Sequence, residues 1–322
     1  MAPVQHYQQL SRRNFIKQAA VAAAVLPVVS PGFYPKNRAE GEKALEVHIF
    51  SKCLHFLDYE HMAEFAARVG FDGVDLTVRP GGHVVPEKVA DDLPKAIGEI
   101  QRAGLQSTMI ATAMADPADT VGRNVLEVAA SLGISFYRTD YFQYLKDKSI
   151  PESIGFFQKR AKELSELNSR LAIVGCYQNH AGLMMGASLW ELWDVLQHAD
   201  HDYLGVQYDV RHAVVEGGRS WVNGLKLIQP HIKTIVVKDF KWVEQGGQWR
   251  SVGTPIGEGM VDFKSYFRML KDFNIQVPAS LHIEYPLGGV ESGAKQLKIE
   301  PEEVFRAMEK DLSTIRRLWL EA

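Results

Sequence analysis

The sequence predicts an α/β protein built as a (β/α)8 barrel, a single domain behind an N-terminal targeting segment. Three observations carry this. Short β-rich runs alternate with stretches of helical periodicity eight times along the chain. The runs are nearly continuously apolar, as in parallel strands covered on both faces by helices. No Gly-x-Gly-x-x-Gly follows the first run, which argues against an open dinucleotide-binding sheet, and a count of eight fits a closed barrel.

A first strand is expected over 45–50. A helix over 59–69 follows, with Met62, Phe65, Ala66 and Val69 at helical spacing. The second strand (73–78) leads to a helix over 86–103 that opens on Pro86, a residue suited to a first helical turn. A third strand (105–111), a helix (117–132), a fourth strand (134–138) and a helix (151–167) complete the first half. Gly70, Gly104 and Gly133 stand just past three of these helices as stop signals. The second half repeats the rhythm. Strands are expected over 170–176, 203–208, 232–237 and 279–283, with helices over 189–196, 221–228, 263–273 and 301–318. The longest irregular stretch, 240–259, contains Trp242 and Trp249 and has the length of a functional lid.

The chain has 322 residues, 46% hydrophobic and 23% charged, enough for one large barrel core. The formal net charge of -3 lacks the basic surplus of a nucleic-acid binder. Two cysteines, Cys53 and Cys176, cannot form a disulfide framework and read as buried or strand-end thiols. At the N-terminus, Ser11-Arg12-Arg13-Asn14-Phe15-Ile16-Lys17 precedes an apolar run over 19–29, too short to span a bilayer. This resembles a twin-arginine export signal. Residues 1–43 are therefore expected to be signal peptide and linker, and 44–322 the catalytic barrel, working in the periplasm or otherwise outside the cytoplasm.

The chemistry lies at polar strand ends. Tyr208-Asp209-Val210-Arg211-His212, Val236-Val237-Lys238-Asp239 and His282-Ile283-Glu284-Tyr285 each close an apolar run with ionisable groups. In a parallel barrel such ends converge at one mouth, where the chemistry is placed. Residues i and i+2 of a strand share a face, so Asp209 goes with Gln207, Glu284 with His282, Lys238 with Val236, and Gln178 with Cys176. His180 follows in the loop after Gln178, and Arg138 ends the fourth strand. Two buried carboxylates must be paired or must ligate a cation. Taken singly, His282 also reads as a hydrogen-bonded core histidine, and Lys238 as a structural partner of Asp209 or Glu284.

These residues carry a resemblance. The chain is similar to the xylose isomerase-like TIM-barrel family of sugar and sugar-phosphate isomerases and epimerases, over 45–318. The likeness rests on Gln178-Asn179-His180, Asp209-x-x-His212, Lys238-Asp239, Gly257-Glu258-Gly259-Met260-Val261-Asp262-Phe263 and Glu284. It implies one divalent cation (Mn, Mg, Co or Zn) held by acidic and histidine side chains from strands five to eight. It also implies proton transfer next to a sugar carbonyl. Asp209 and Glu284 match two of the carboxylate ligands, and His212 matches a histidine facing the substrate. The first glutamate of the pattern is Gln178 here, and the strand-seven histidine maps to Val236, with Lys238 two residues on. An amide ligates through its oxygen but is no general base. The implied metal set is Asp209, Glu284, Gln178 and His282, with His180 as a further substitute.

In the role assignment that follows, Glu284 is the general base and His212 polarises a substrate oxygen. Lys238 stabilises an enolate or acts as the acid. His180, Gln178, Arg138 and Trp242 contact the sugar. The alternatives are a lyase eliminating from 3-keto-glycosides and a silent sugar-binding protein. A nuclease on the same barrel is disfavoured by the acidic balance. The expected partners are a small sugar or glycoside, the export machinery for the precursor and, as an option, further copies in a homo-oligomer, with no nucleic acid. Replacing both Arg12 and Arg13 by Lys is expected to hold the precursor in the cytoplasm. Cell fractionation showing undiminished export of the double variant would contradict the export reading.

Overall fold

The computed structural model describes residues 44–322, so the targeting segment expected over 1–43 lies outside the described residues. Parallel strands β1 (Val47–Phe50), β2 (Gly73–Val78), β3 (Gln106–Thr112), β4 (Phe136–Arg138), β5 (Val174–Gln178), β6 (Leu204–Asp209) and β7 (Ile232–Val237) form most of a barrel. The next strands, β8 (Asp239–Gln245) and β9 (Gln248–Thr254), form a separate antiparallel hairpin. Then β10 (Ala279–Leu281) pairs with both β7 and β1 and closes the eight-stranded ring. The closed (β/α)8 architecture expected from the apolar runs is the one observed.

Helices cover the ring: α1 (Tyr59–Val69), α2 (Val89–Arg102), α3 (Thr120–Ser131), α4 (Ile150–Leu171), α5 (Leu189–Leu196), α6 (Val210–Gly217), α7 (Trp221–Ile228), α8 (Phe263–Asp272) and α9 (Pro301–Glu321). Their starts follow side-chain chemistry. Asp58, Asp119, Asp209 and Asp262 each accept a backbone N–H of the first turn they precede. Ser149 and Glu152 form a reciprocal capping box on α4.

Side chains alternate across the strands as expected. Tyr137 donates to Asn168 of α4 (2.9 Å), so Arg138 points into the barrel. Tyr208 stacks on Tyr266 of α8 (5.8 Å), so Gln207 and Asp209 point inward. Tyr177 donates to the Met185 carbonyl (2.8 Å), leaving Gln178 inside. In the interior, Ser280 Oγ donates to Asp75 at 2.6 Å, and both are buried. That fixes the inward face of β10, and His282 and Glu284 continue the same phase.

Three expectations are corrected. The strand expected over 170–176 begins four residues later, because α4 runs on through Leu171 and ends on Ala172 in the left-handed conformation (φ 54°). The stretch expected to be irregular contains the β8–β9 hairpin, turned by Gly246 and Gly247 at φ 61° and 78°. Directly after β6 stands α6, a helix absent from the expected series.

The Gly257–Phe263 segment returns from the hairpin because it wraps the Asp239 carboxylate. That group accepts the backbone N–H of Phe240 (2.8 Å), Gly257 (3.0 Å), Gly259 (2.9 Å) and Val261 (3.1 Å). A Cβ on Gly259 would overlap Asp239 and the Phe240 carbonyl, which accounts for a glycine there. Asp239 therefore organises the loop after β7, while its neighbour Lys238 points into the barrel mouth.

Candidate active site

Lys238 is the centre of the charged cluster. Its Nζ lies 2.9 Å from Asp209 Oδ2, 3.0 Å from Glu284 Oε1 and 2.9 Å from His212 Nε2. An ammonium has three protons and no acceptor, so all three are used; Arg211 Nη1, also a donor only, lies 3.2 Å from the other ring nitrogen of His212, Nδ1. Burial opposes the lysine's charge, but the carboxylates of Asp209 and Glu284 outweigh it and hold the pKa above the ordinary lysine value.

Asp209 is fully buried at the junction of β6 and α6. Its Oδ1 caps the helix by accepting the His212 N–H (3.1 Å). Its Oδ2 accepts from Lys238 and from Gln178 Nε2 (2.8 Å). Asn179 locks the same backbone from β5. It accepts the Asp209 N–H (2.8 Å) and donates to the Asp209 carbonyl (3.0 Å). The Gln178 oxygen accepts from Arg138 Nη1 (3.1 Å) and Tyr141 OH (2.7 Å). Its amide is thereby oriented, with the oxygen accepting twice and one N–H donated to Asp209.

Glu284, just beyond β10, is the cluster's partly open member, with 28% of its side chain exposed. Burial raises its pKa, but Lys238 and then His212 lower it more, and it falls to about 2. His212 is held well below the ordinary histidine value by burial, then by Lys238, His180 and Arg211. His180 is lowered by burial and by Lys238, and its ring lies over His212 at 3.9 Å. The imidazoles are neutral at pH 7, while Lys238 and Glu284 are charged.

The expected catalytic trio of Glu284, Lys238 and His212 is brought together. Among the expected sugar contacts, Gln178 and Arg138 join it through hydrogen bonds and His180 through its ring. Trp242 stands apart on β8, 40% exposed, with its ring packed on Phe240 at 6.0 Å. Tyr141 and Asn179 belong to the cluster by hydrogen bonding, which strand alternation alone does not reveal.

The expected metal set does not fit a divalent cation. Asp209 and Glu284 do converge on one positive charge, but it is the Lys238 ammonium. Gln178 turns its NH2, not its oxygen, toward Asp209. His282 stacks on Phe50 (4.1 Å, 16° between planes), with Nδ1 4.0 Å from Glu284 and Nε2 without a hydrogen-bond partner among the described residues. Among the described residues, no three His, Cys, Asp or Glu side chains form a group that could hold a metal ion.

The chain belongs to the xylose isomerase-like TIM barrel family, matching it over residues 63–306. No curated protein matches it by sequence. Solved structures share the fold at low identity. A xylose isomerase-like TIM barrel protein from Mycobacterium smegmatis in complex with magnesium is 12% identical, with TM-score 0.63, covering 85% of this chain and 98% of its own. A D-allulose 3-epimerase from Methylomonas sp. is 15% identical, with TM-score 0.61, covering 86% and 99%. A probable 3-DHS dehydratase involved in petrobactin synthesis from Bacillus anthracis is 16% identical, with TM-score 0.59, covering 84% and 99%.

The low pKa of Glu284 makes its pairing visible in stability. A carboxylate depressed in the folded state stabilises at pH above its unfolded value of 4.5. That contribution is lost as pH falls toward about 2. The unfolding free energy of the wild type should therefore drop between pH 4.5 and 2 by on the order of 2–3 kcal/mol more than that of Glu284→Gln. Denaturant titrations giving the two proteins the same slope in this window would contradict the ion pair.

Proposed function

We propose that this chain is a carbohydrate enzyme of the isomerase or epimerase type that removes a proton from the carbon next to a sugar carbonyl. Glu284 is the base, and the Lys238 ammonium stands beside the oxygen on which negative charge develops. The observation that carries this reading is the position of Lys238 between the two carboxylates, where the family resemblance implies a ligated cation.

Carbon acids are weak, so the enolate needs a preorganised positive charge, and a low-dielectric site strengthens that charge. All three Lys238 protons are engaged before substrate arrives. Asp209, buried and held by Gln178 and Asn179, is the fixed partner. Glu284 is the displaceable one because it is open to the mouth. A substrate oxygen that takes its place on Nζ releases Glu284 from the pairing that depresses its pKa, and its basicity rises as the substrate binds. His212, neutral, accepts the third Lys238 proton and keeps the ammonium aimed.

The enolate then regains its proton at a neighbouring carbon or on the other face. The D-allulose 3-epimerase and the dehydratase are enzymes of this fold whose names describe epimerisation and elimination. A second reading, β-elimination on a 3-keto-glycoside, is favoured by Gln178. Where the family resemblance expects a second glutamate, an amide is committed to Asp209, Arg138 and Tyr141, so the site presents one carboxylate base. The Arg12-Arg13 signal supports the same chemistry on sugars outside the cytoplasm.

Glu284→Gln keeps size and hydrogen bonding but removes basicity. In D2O, with a panel of ketoses and 3-keto-glycosides, NMR should show deuterium entering the α carbon with wild type. The rate should fall by about 10²–10⁴-fold in the variant, with sugar binding retained. Exchange at the wild-type rate would place the base elsewhere, with His180 and His212 the next candidates. Absence of exchange with any sugar in the wild type would instead favour a silent binding protein.

A further inference from the structure

We propose that the substrate carries an anionic group, a carboxylate or a phosphate ester, which docks on Arg79 and Lys52 in the cavity beside the charged cluster. This rests on the reading of the Lys238–Glu284 centre as the reacting end of a sugar site.

The cavity, about 410 Å³, is lined by Lys52, His55, Arg79, Thr112, Asp140 and Gly293, among others. Lys52, Arg79 and Asp140 all follow barrel strands at their C-terminal ends, so the cavity opens at the same mouth as the cluster. Its charge is unbalanced. Arg79 has no carboxylate within ion-pair distance among the described residues; burial and the neighbouring Arg138 disfavour its charge, and Asp75 and Asp140, farther off, only partly offset them. Arg138 is 6% exposed, spends one nitrogen on the Gln178 amide and leaves Nε buried without a hydrogen-bond partner among the described residues. Asp140, the acidic residue in the lining, turns one oxygen to the backbone N–H of Tyr141 at 2.9 Å. His55 is pushed down to about 4 by burial and by Arg79, so it adds no charge at pH 7.

A guanidinium taken out of water costs free energy unless an anion meets it. On the outer surface, the partly exposed Arg160 pairs with Asp116 at 2.5 Å. Arg79 and Arg138 instead flank Phe50, at 5.6 and 5.7 Å from its ring centre, and face each other's charge. An incoming anion supplies what the fold omits, and the planar fork of Arg79 suits a carboxylate or phosphate.

The cavity is joined to the reacting centre in two ways. Arg138 reaches Asp209 through Gln178, and Phe50 carries the His282 ring, which lies 4.0 Å from Glu284. In this proposal the anion docks at Arg79 and the carbonyl end reaches across the mouth to Lys238. The class this describes is an acidic sugar, a uronate-like acid or a sugar phosphate, rather than a neutral hexose.

Equilibrium binding tests this without turnover. Calorimetry on the wild type should give D-glucuronate or glucose 6-phosphate at least about tenfold tighter binding than D-glucose. Which of the two gains identifies the anion. Arg79→Gln and Lys52→Gln should each shrink that preference, and added salt should weaken it. Equal affinity for D-glucose and both anionic sugars, no binding of either anionic sugar, or a preference unchanged in both variants overturns the proposal. Inorganic phosphate binding as tightly as the anionic sugars also overturns it, since the cavity would then read an ion and not a substrate. An anionic preference without deuterium exchange in any sugar would sink the proton-abstraction reading and leave this one standing.

Discussion

An ammonium ion with three protons and three acceptors is the constraint on which this barrel mouth depends. Lys238 is 2% exposed, and a lone buried lysine would shed its proton. The carboxylates of Asp209 and Glu284 keep it charged, His212 accepts its third proton, and it keeps Glu284 ionised in turn. Removing one partner of such a buried set typically costs about 3–5 kcal/mol, because the remaining charges stay buried and uncompensated. The surrounding hydrogen bonds serve this arrangement. Gln178 and Asn179 hold Asp209, Arg138 and Tyr141 hold Gln178, and Asp239 ties down the chain immediately after the lysine.

The same arrangement ties function to exposure. Asp209 and His212 are sealed in, while Glu284 is partly open, so only one of the three acceptors can readily be exchanged for a substrate oxygen. A site that stores its base as an ion pair is quiet without substrate. In the proposed reaction it becomes basic at the point where the substrate itself replaces the carboxylate on Lys238. A ligated metal would polarise the same oxygen as a Lewis acid, whereas lysine offers a point charge and a proton donor.

Much of this was legible in the sequence, for physical reasons specific to each element. Strands buried on both faces leave continuous apolar runs, so the eight-fold rhythm and the convergence of Asp209, Lys238 and Glu284 followed from spacing. The departures at Gln178 and Val236 already pointed away from a complete metal set, but only geometry shows that Lys238 fills the position. The start of β5 was obscured because Ala172, not a glycine, takes the left-handed turn that ends α4. The Gly246-Gly247 pair is a hairpin signal, but the arms of β8–β9 are largely exposed and lack the apolar run that marks a barrel strand. The short α6 hid because its cap is Asp209 itself. Arg79, Lys52 and Asp140 come from separate loops, and no spacing rule joins them.

Metal stoichiometry tests the central claim most directly. Wild-type protein and Lys238→Ala would each be loaded with Mn²⁺, desalted and assayed for bound metal by mass spectrometry. If the ammonium is the built-in cation, the wild type retains no stoichiometric metal. The variant, which frees Asp209, Glu284 and the His212 imidazole, gains a site for one. One equivalent of metal held by the wild type and lost in the variant would contradict the account.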